Sequence, residues 1–425
     1  MAVFHLPYGD GKIEFTLEDQ RIAGVLGSQI HDLKPKGDER EMVRYALEHP
    51  LGASRLSELA KGKKHIAIIS SDHTRPVPSR IIMPQLLKEI RTGNPAAEIT
   101  IVIATGCHRR TTKQEIQEKY GSEIAERETF LIHDCKTDDL VHLGKLPSGG
   151  PLLVNGIVGR CDLLVAEGFI EPHLSAGFSG GRKSLLPGIA SYKSVMSFHS
   201  GSILSSPCAR TGILKHNPVH EDSLWAAKAA KLAFICNVVL NENKEIVCAV
   251  AGGFEEAHAA GCAFLQEHCI VDAVPAEIVV TTNGGYPLDQ DLYQAVKGMT
   301  AAEATVKPGG VIIMLAQSRC GHGSQAFYNM FLEENNPARL LETILAIPPE
   351  QTKMDQWEAQ ILARILARTP VIYISRLPDT MVREFGMIPA GSLEEAMDKA
   401  ENLLQNPKAK VTVIPNGIAV IVKPL

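Results

Sequence analysis

A chain of 425 residues is too long for one ordinary core and points to two or three domains. With 45% hydrophobic and 21% charged residues it reads as globular, and a net charge of -5 gives no electrostatic reason to expect a nucleic-acid partner. No run approaches the ~20 apolar residues of a membrane span, no signal-peptide pattern is visible, and the nine cysteines are scattered without a C-x-x-C pair; free thiols in a reducing cytoplasm are expected.

In chain order, short Ile/Val/Leu runs predict strands over 65–70, 99–104, 162–166, 233–240, 277–281, 311–315 and 371–375. Between them the spacing predicts helices. Ile81, Ile82, Leu86, Leu87 and Ile90 recur with a period near 3.6 over 78–92, and further helices are expected over 288–304 and 392–404. The alternation implies an α/β fold of two α/β domains with mostly parallel sheets and the active site in the cleft between them. Val274-Pro275 suggests a hinge over 270–275, giving domains 1–272 and 273–408, the second closing over the substrate. The segment 411–422, with Pro415-Asn416-Gly417 at its middle, reads as a hairpin, and 409–425 is expected to complete the first domain.

Four polar segments follow predicted strands, where ligands of open α/β sheets bind. Asp72-His73-Thr74-Arg75 offers a guanidinium fork for an anion, or else an Asp–Arg pair closing an Asx-turn. Thr105-Gly106-Cys107-His108 brings His108 to the mouth of the sheet as a base, or leaves a surface histidine before a helix capped by Thr111 or Thr112. Glu171-Pro172-His173 runs into Gly177, Gly180, Gly181, Arg182 and Lys183. Arg182 stands where a P-loop needs Gly, yet glycine N–H groups with Arg182 and Lys183 could cradle an anion. In the fourth, Tyr293, Gln294 and Lys297 share about one helical turn and suit a small carboxylate, or form a solvated face. His108, His173 and His199 show no local metal-ligand spacing.

Taken in order, Asp72–Pro76, Thr105–Arg109, Glu171–His173, Gly180–Ser184 and Phe198-His199 resemble the nickel-dependent lactate racemase family, and Tyr293, Gln294, Lys297 and Trp357 extend the likeness over nearly the whole chain. The resemblance implies a racemase of lactate, or of a closely similar short 2-hydroxy acid. Its cofactor would be nickel held in a pyridinium-derived pincer mononucleotide, bound covalently to Lys183 and made by separate biosynthetic enzymes that meet the protein transiently. It implies His199 as the nickel ligand and His108 and His173 as bases. Asp72, Arg75, Gly180, Gly181 and Trp357 would lie at the cofactor, and Arg75, Tyr293, Gln294 and Lys297 at the substrate. Cys107 has no role in that pattern. Hydride transfer to a pyridinium carbon avoids a carbanion beside a carboxylate and leaves a planar keto acid. Competing expectations are a phosphate-binding transferase or hydrolase built on the Lys183 loop, and a non-catalytic cofactor-binding protein.

Overall fold

The computed structural model describes residues 1–137 and 139–423. The chain forms two compact units. Unit A holds residues 30–199 and 206–267; unit B holds 1–29, 200–205 and the chain from His268 onward. This differs from the division at 272, because Ile22–Val25 and Val411–Ile414 are strands of unit B's own sheet rather than additions to unit A.

Unit A is a six-stranded sheet in the order Ile246–Gly252, Leu232–Leu240, Leu163–Phe169, His65–Ser71, Glu98–Ala104, Thr129–Ile132. All neighbours are parallel except the first pair. The strands are continuous apolar runs because both faces are covered: Ile66, Ile68, Ile101, Ile103, Val165 and Phe234 share a core with Ile82, Leu86 and Ile90 of the helix Ser79–Gly93. The chain steps outward from His65–Ser71 on one side, then returns to lay Leu163–Phe169 on the other. The connections after these two strands therefore leave in opposite directions, and the crevice at a topological switch point opens between them.

Unit B repeats the logic with an all-parallel sheet ordered Ile388–Ala390, Val371–Ile374, Val306–Leu315, Ala276–Thr282, Val411–Ile414, Ile22–Val25. Its switch point lies between Ala276–Thr282 and Val411–Ile414. The hairpin Ala2–Tyr8/Gly11–Leu17 adds Leu6, Phe15 and Leu17 to this core. No hairpin forms over 411–422, since Val411–Ile414 is absorbed as a central strand while Ile421–Lys423 pairs with Ile270–Asp272, the expected hinge. The helix expected from 288 begins at Leu292, where Asp291 caps it by accepting from the Gln294 N–H. Among the described residues no helix is long and apolar enough to cross a membrane.

Candidate active site

Three loops of unit A converge at the sheet edge. After His65–Ser71, the chain turns on Asp72, whose Oδ1 accepts from the Thr74 N–H (3.1 Å) and hydroxyl (2.6 Å). Lys119 pins the loop from behind, its Nζ donating to Ser71 Oγ (3.0 Å) and to the carbonyls of Asp72 (3.2 Å) and Arg75 (3.2 Å). That lysine sits on the helix Lys113–Tyr120, which Thr112 opens with a full capping box, so Thr112 and not Thr111 is the cap. Burial pushes the Lys119 ammonium pKa down, with Glu167 and Asp72 opposing. Arg75 is exposed, its guanidinium donating to the Thr74 hydroxyl (3.0 Å) and carbonyl (3.4 Å).

The loop after Glu98–Ala104 delivers His108, whose Nδ1 lies 2.7 Å from Asp72 Oδ2. Asp72 is 2% exposed. Burial alone would push its carboxyl up, but the hydrogen bond and charge of His108, with Thr74 and Arg75, outweigh burial and hold it at about 2. An ionised carboxylate only accepts, so Nδ1 carries the proton and the lone pair of His108 is on Nε2, the half-exposed side. The dyad is a carboxylate-oriented imidazole, the arrangement of an activated base.

The third loop carries His173 and Lys183. His173 Nδ1 accepts from the N–H groups of Ser175 (3.3 Å) and Ala176 (3.2 Å), and its Nε2 lies 2.9 Å from Lys183 Nζ. Lys183 is placed by the short 3-10 helix Gly181–Ser184. The anion-cradle reading of this loop does not hold. The Gly181 N–H is spent on Asn237 Oδ1 (2.8 Å), and Arg182, 1% exposed, turns inward. Its guanidinium donates to the carbonyls of Phe178 (3.0 Å) and Ala176 (2.9 Å) and meets His258 Nε2 at 2.7 Å, so it clamps the loop instead of facing a ligand. The glycines answer to sterics: Gly180 and Gly181 have φ of +75° and +51°, and a Cβ would lie 2.8 Å from Phe169 O and 2.9 Å from His258 Cδ2 respectively.

His199 ends the helix Tyr192–Phe198, which Ser191 caps. Its Nδ1 lies 2.8 Å from Val195 O and must donate there, so the acceptor lone pair of the neutral ring is on Nε2. Burial pushes its imidazole down to about 4, the Val195 hydrogen bond opposing and the Lys183 charge adding. Among the described residues no group of three or more His, Cys, Asp or Glu could hold an ion.

In unit B, Lys297 Nζ donates to Gln294 Oε1 (2.7 Å), whereas Tyr293 pairs elsewhere. The Tyr293 hydroxyl accepts from Trp357 Nε1 (2.8 Å) and donates to Asp355 Oδ1 (3.2 Å). Asp355 takes a second bond from Ser324 Oγ (2.5 Å) and has a left-handed φ of 61°. Glu358, 3% exposed, is pushed up to about 8 by burial, with Lys297 opposing.

Sequence reasoning missed Lys119, Glu167, Asp355 and Glu358. Glu167 was legible: an acid in an otherwise apolar strand, Leu163–Phe169, is costly unless employed. It is 1% exposed and accepts from Ser79 Oγ (2.5 Å) and Ser70 Oγ, holding the base of the Asp72 loop.

Residues 8–212 match the lactate racemase N-terminal domain and residues 271–422 the lactate racemase C-terminal domain. A lactate racemase of Thermoanaerobacterium thermosaccharolyticum is 50% identical over 425 residues, 100% of both chains, and one of Lactiplantibacillus plantarum is 50% identical over 426 residues, again 100% of both. The structure of the T. thermosaccharolyticum lactate racemase apoprotein superposes with a TM-score of 0.96 at 50% identity, covering 99% of this chain and 100% of that one. A crystal structure of a Thermotoga maritima protein, with TM-score 0.64 and 20% identity over 92% of this chain and 100% of that one, shares the fold alone.

Proposed function

From the premise that the chain belongs to the lactate racemase family and is an isomerase, we propose that it interconverts D- and L-lactate or a closely similar short 2-hydroxy acid. Lys183 is the covalent attachment point of a nickel-pincer nucleotide, supplied by separate biosynthetic enzymes, and His199 is the protein ligand to nickel. The residues fit such a group. His199 would hold the metal through Nε2, the ring being oriented by its Nδ1–H on Val195 O. When bound, the group supplies a pyridinium carbon that takes hydride from the substrate Cα and returns it.

The rest of the work falls to the chain. His108, oriented by Asp72, takes the hydroxyl proton at Nε2 as hydride leaves. His173 handles the same proton for the other enantiomer. Arg75 meets the substrate carboxylate with a planar fork, and Lys297 with Gln294, Tyr293 and Trp357 supply the remaining polar contacts to substrate or cofactor. Gly180 and Gly181 support cofactor binding through the loop shape they permit. Holding the planar keto acid by its carboxylate lets it present its second face without escaping.

The observation that carries the proposal is the 2.9 Å contact between His173 Nε2 and Lys183 Nζ, which joins a proton-handling residue to the attachment lysine. Intact-mass and peptide mass spectrometry of protein co-produced with the cofactor-making enzymes tests it. A single adduct on Lys183, absent from Lys183→Ala together with all activity, is the expected result. Active protein with an unmodified Lys183 overturns the tether.

A further inference from the structure

Two sulfurs beside His108 have no part in the chemistry above. Cys107 lies in the loop after Glu98–Ala104 and Cys135 in the loop after Thr129–Ile132, neighbouring strands in parallel register with Ile103 opposite Ile132. The two loops are stitched together: the His133 N–H donates to Ile103 O (3.1 Å) and the Thr105 hydroxyl to His133 O (2.7 Å). Cys135 is held further by the Tyr192 N–H on its carbonyl (2.7 Å). This sets Cys107 and Cys135 on adjoining, stitched loops at the same level beyond the sheet, Cys135 buried and Cys107 partly exposed. We infer that Cys107 and Cys135 form a peroxide-sensitive dithiol whose oxidation to a disulfide draws His108 away from Asp72.

Three other cysteines offer a contrast. Burial pushes the thiols of Cys248 and Cys269 up to about 11 and that of Cys262 to about 12. In the pair, the Cys107 hydrogen bond brings Cys135 down to about 7 against burial, with Lys136 assisting and Asp134 opposing. The pair therefore carries thiolate near neutral pH, and thiolate is the reactive form.

The redox step balances with a hydroperoxide as oxidant. The thiolate attacks one peroxide oxygen; an S–O bond forms, the O–O bond breaks, and the other oxygen leaves with a proton as water or alcohol. The second thiol then attacks the oxidised sulfur, losing its proton; S–S forms and the bound oxygen leaves as water. Two electrons pass from the sulfurs to the peroxide. A disulfide closes the sulfurs to about 2.05 Å, a movement on the order of 1.5 Å from hydrogen-bond distance. Cys135 is anchored on both sides of the stitch, so the movement falls on Cys107 and its chain neighbour His108. A 2.7 Å bond to Asp72 does not survive a displacement of that size.

The test is peptide mapping under non-reducing conditions after stoichiometric hydrogen peroxide at neutral pH and alkylation of the remaining thiols. A Cys107–Cys135 linked peptide should form about tenfold faster than any other cysteine is modified, and vanish with dithiothreitol. In Cys107→Ser and Cys135→Ser the link is absent and dimedone labels the surviving partner. Recovery of both cysteines as alkylated thiols at doses that oxidise the exposed Cys320 overturns the pair. The effect on His108 rests on the proposed function and is read separately: peroxide should lower interconversion by the loaded enzyme at least about tenfold, dithiothreitol should restore it, and Cys135→Ser should keep its rate throughout. A quantitative link with an undiminished rate overturns the displacement of His108 alone.

Discussion

The two histidine loops of unit A rise from the same sheet edge, yet their rings are gripped by opposite kinds of partner. Asp72, ionised and buried, holds the proton of His108 on Nδ1 and turns the lone pair outward. His173 is held the other way: two backbone N–H groups donate to its Nδ1, and its Nε2 lies 2.9 Å from Lys183 Nζ, so a proton on Nε2 requires a neutral Lys183 to accept it. What a histidine can do is therefore set by what grips its far nitrogen. His108 can accept a hydroxyl proton at once. The working nitrogen of His173 is engaged with Lys183, so its proton state follows that of the lysine.

Removing each ring breaks the comparison most severely. His108→Ala should lower interconversion about 10²–10⁴-fold while Lys183 loads normally, whereas His173→Ala should lower both the rate and the extent of loading. Chiral chromatography of product and intact mass read the two effects; variants that both keep near-normal turnover rule out the assignment. Asp72→Asn sharpens the comparison, because an amide can donate to Nδ1 and let His108 carry its proton on Nε2. We expect a loss of about 10–10²-fold in kcat. The same change shows in stability. The carboxyl is held at about 2, below its ordinary 3.8, so its contribution is present above 3.8 and lost as pH falls through about 2. Asp72→Asn should then be about 1–2 kcal/mol less stable than the parent above about pH 4 and converge with it near pH 2, measured by urea midpoints.

The smallest effect contrasts unit B with unit A. Glu358 is raised where Asp72 is lowered, because burial meets no close hydrogen-bonding cation. Its folded value of about 8 exceeds 4.5, so stability is lost as pH rises between them. Glu358→Gln should match the parent near about pH 4.5 and exceed it by about 1 kcal/mol at about pH 8–9, read by thermal melting. Equal melting across that range removes the neutral Glu358.

Much of the fold was legible because doubly buried strands write themselves as apolar runs: each of the seven predicted strands lies within or beside an observed one. Val411–Ile414 was legible as a strand but not as a neighbour of Ala276–Thr282, since a short apolar run carries no record of its partner. The site was half legible. Position after a strand singled out His108, His173 and Lys183, but nothing local to Arg182 says that it points inward, or that Asp355 holds the hydroxyl of Tyr293 from 62 residues away.

Periodicity, caps and strand-end motifs are local properties, so the sequence by itself determined the α/β class, the capped helices and the residues able to carry the chemistry. Tertiary structure decided what those residues can do. Tautomer and ionisation depend on partners brought within about 3 Å by the fold, as Asp72 is brought to His108 and Lys183 to His173. No spacing along a chain encodes that distance.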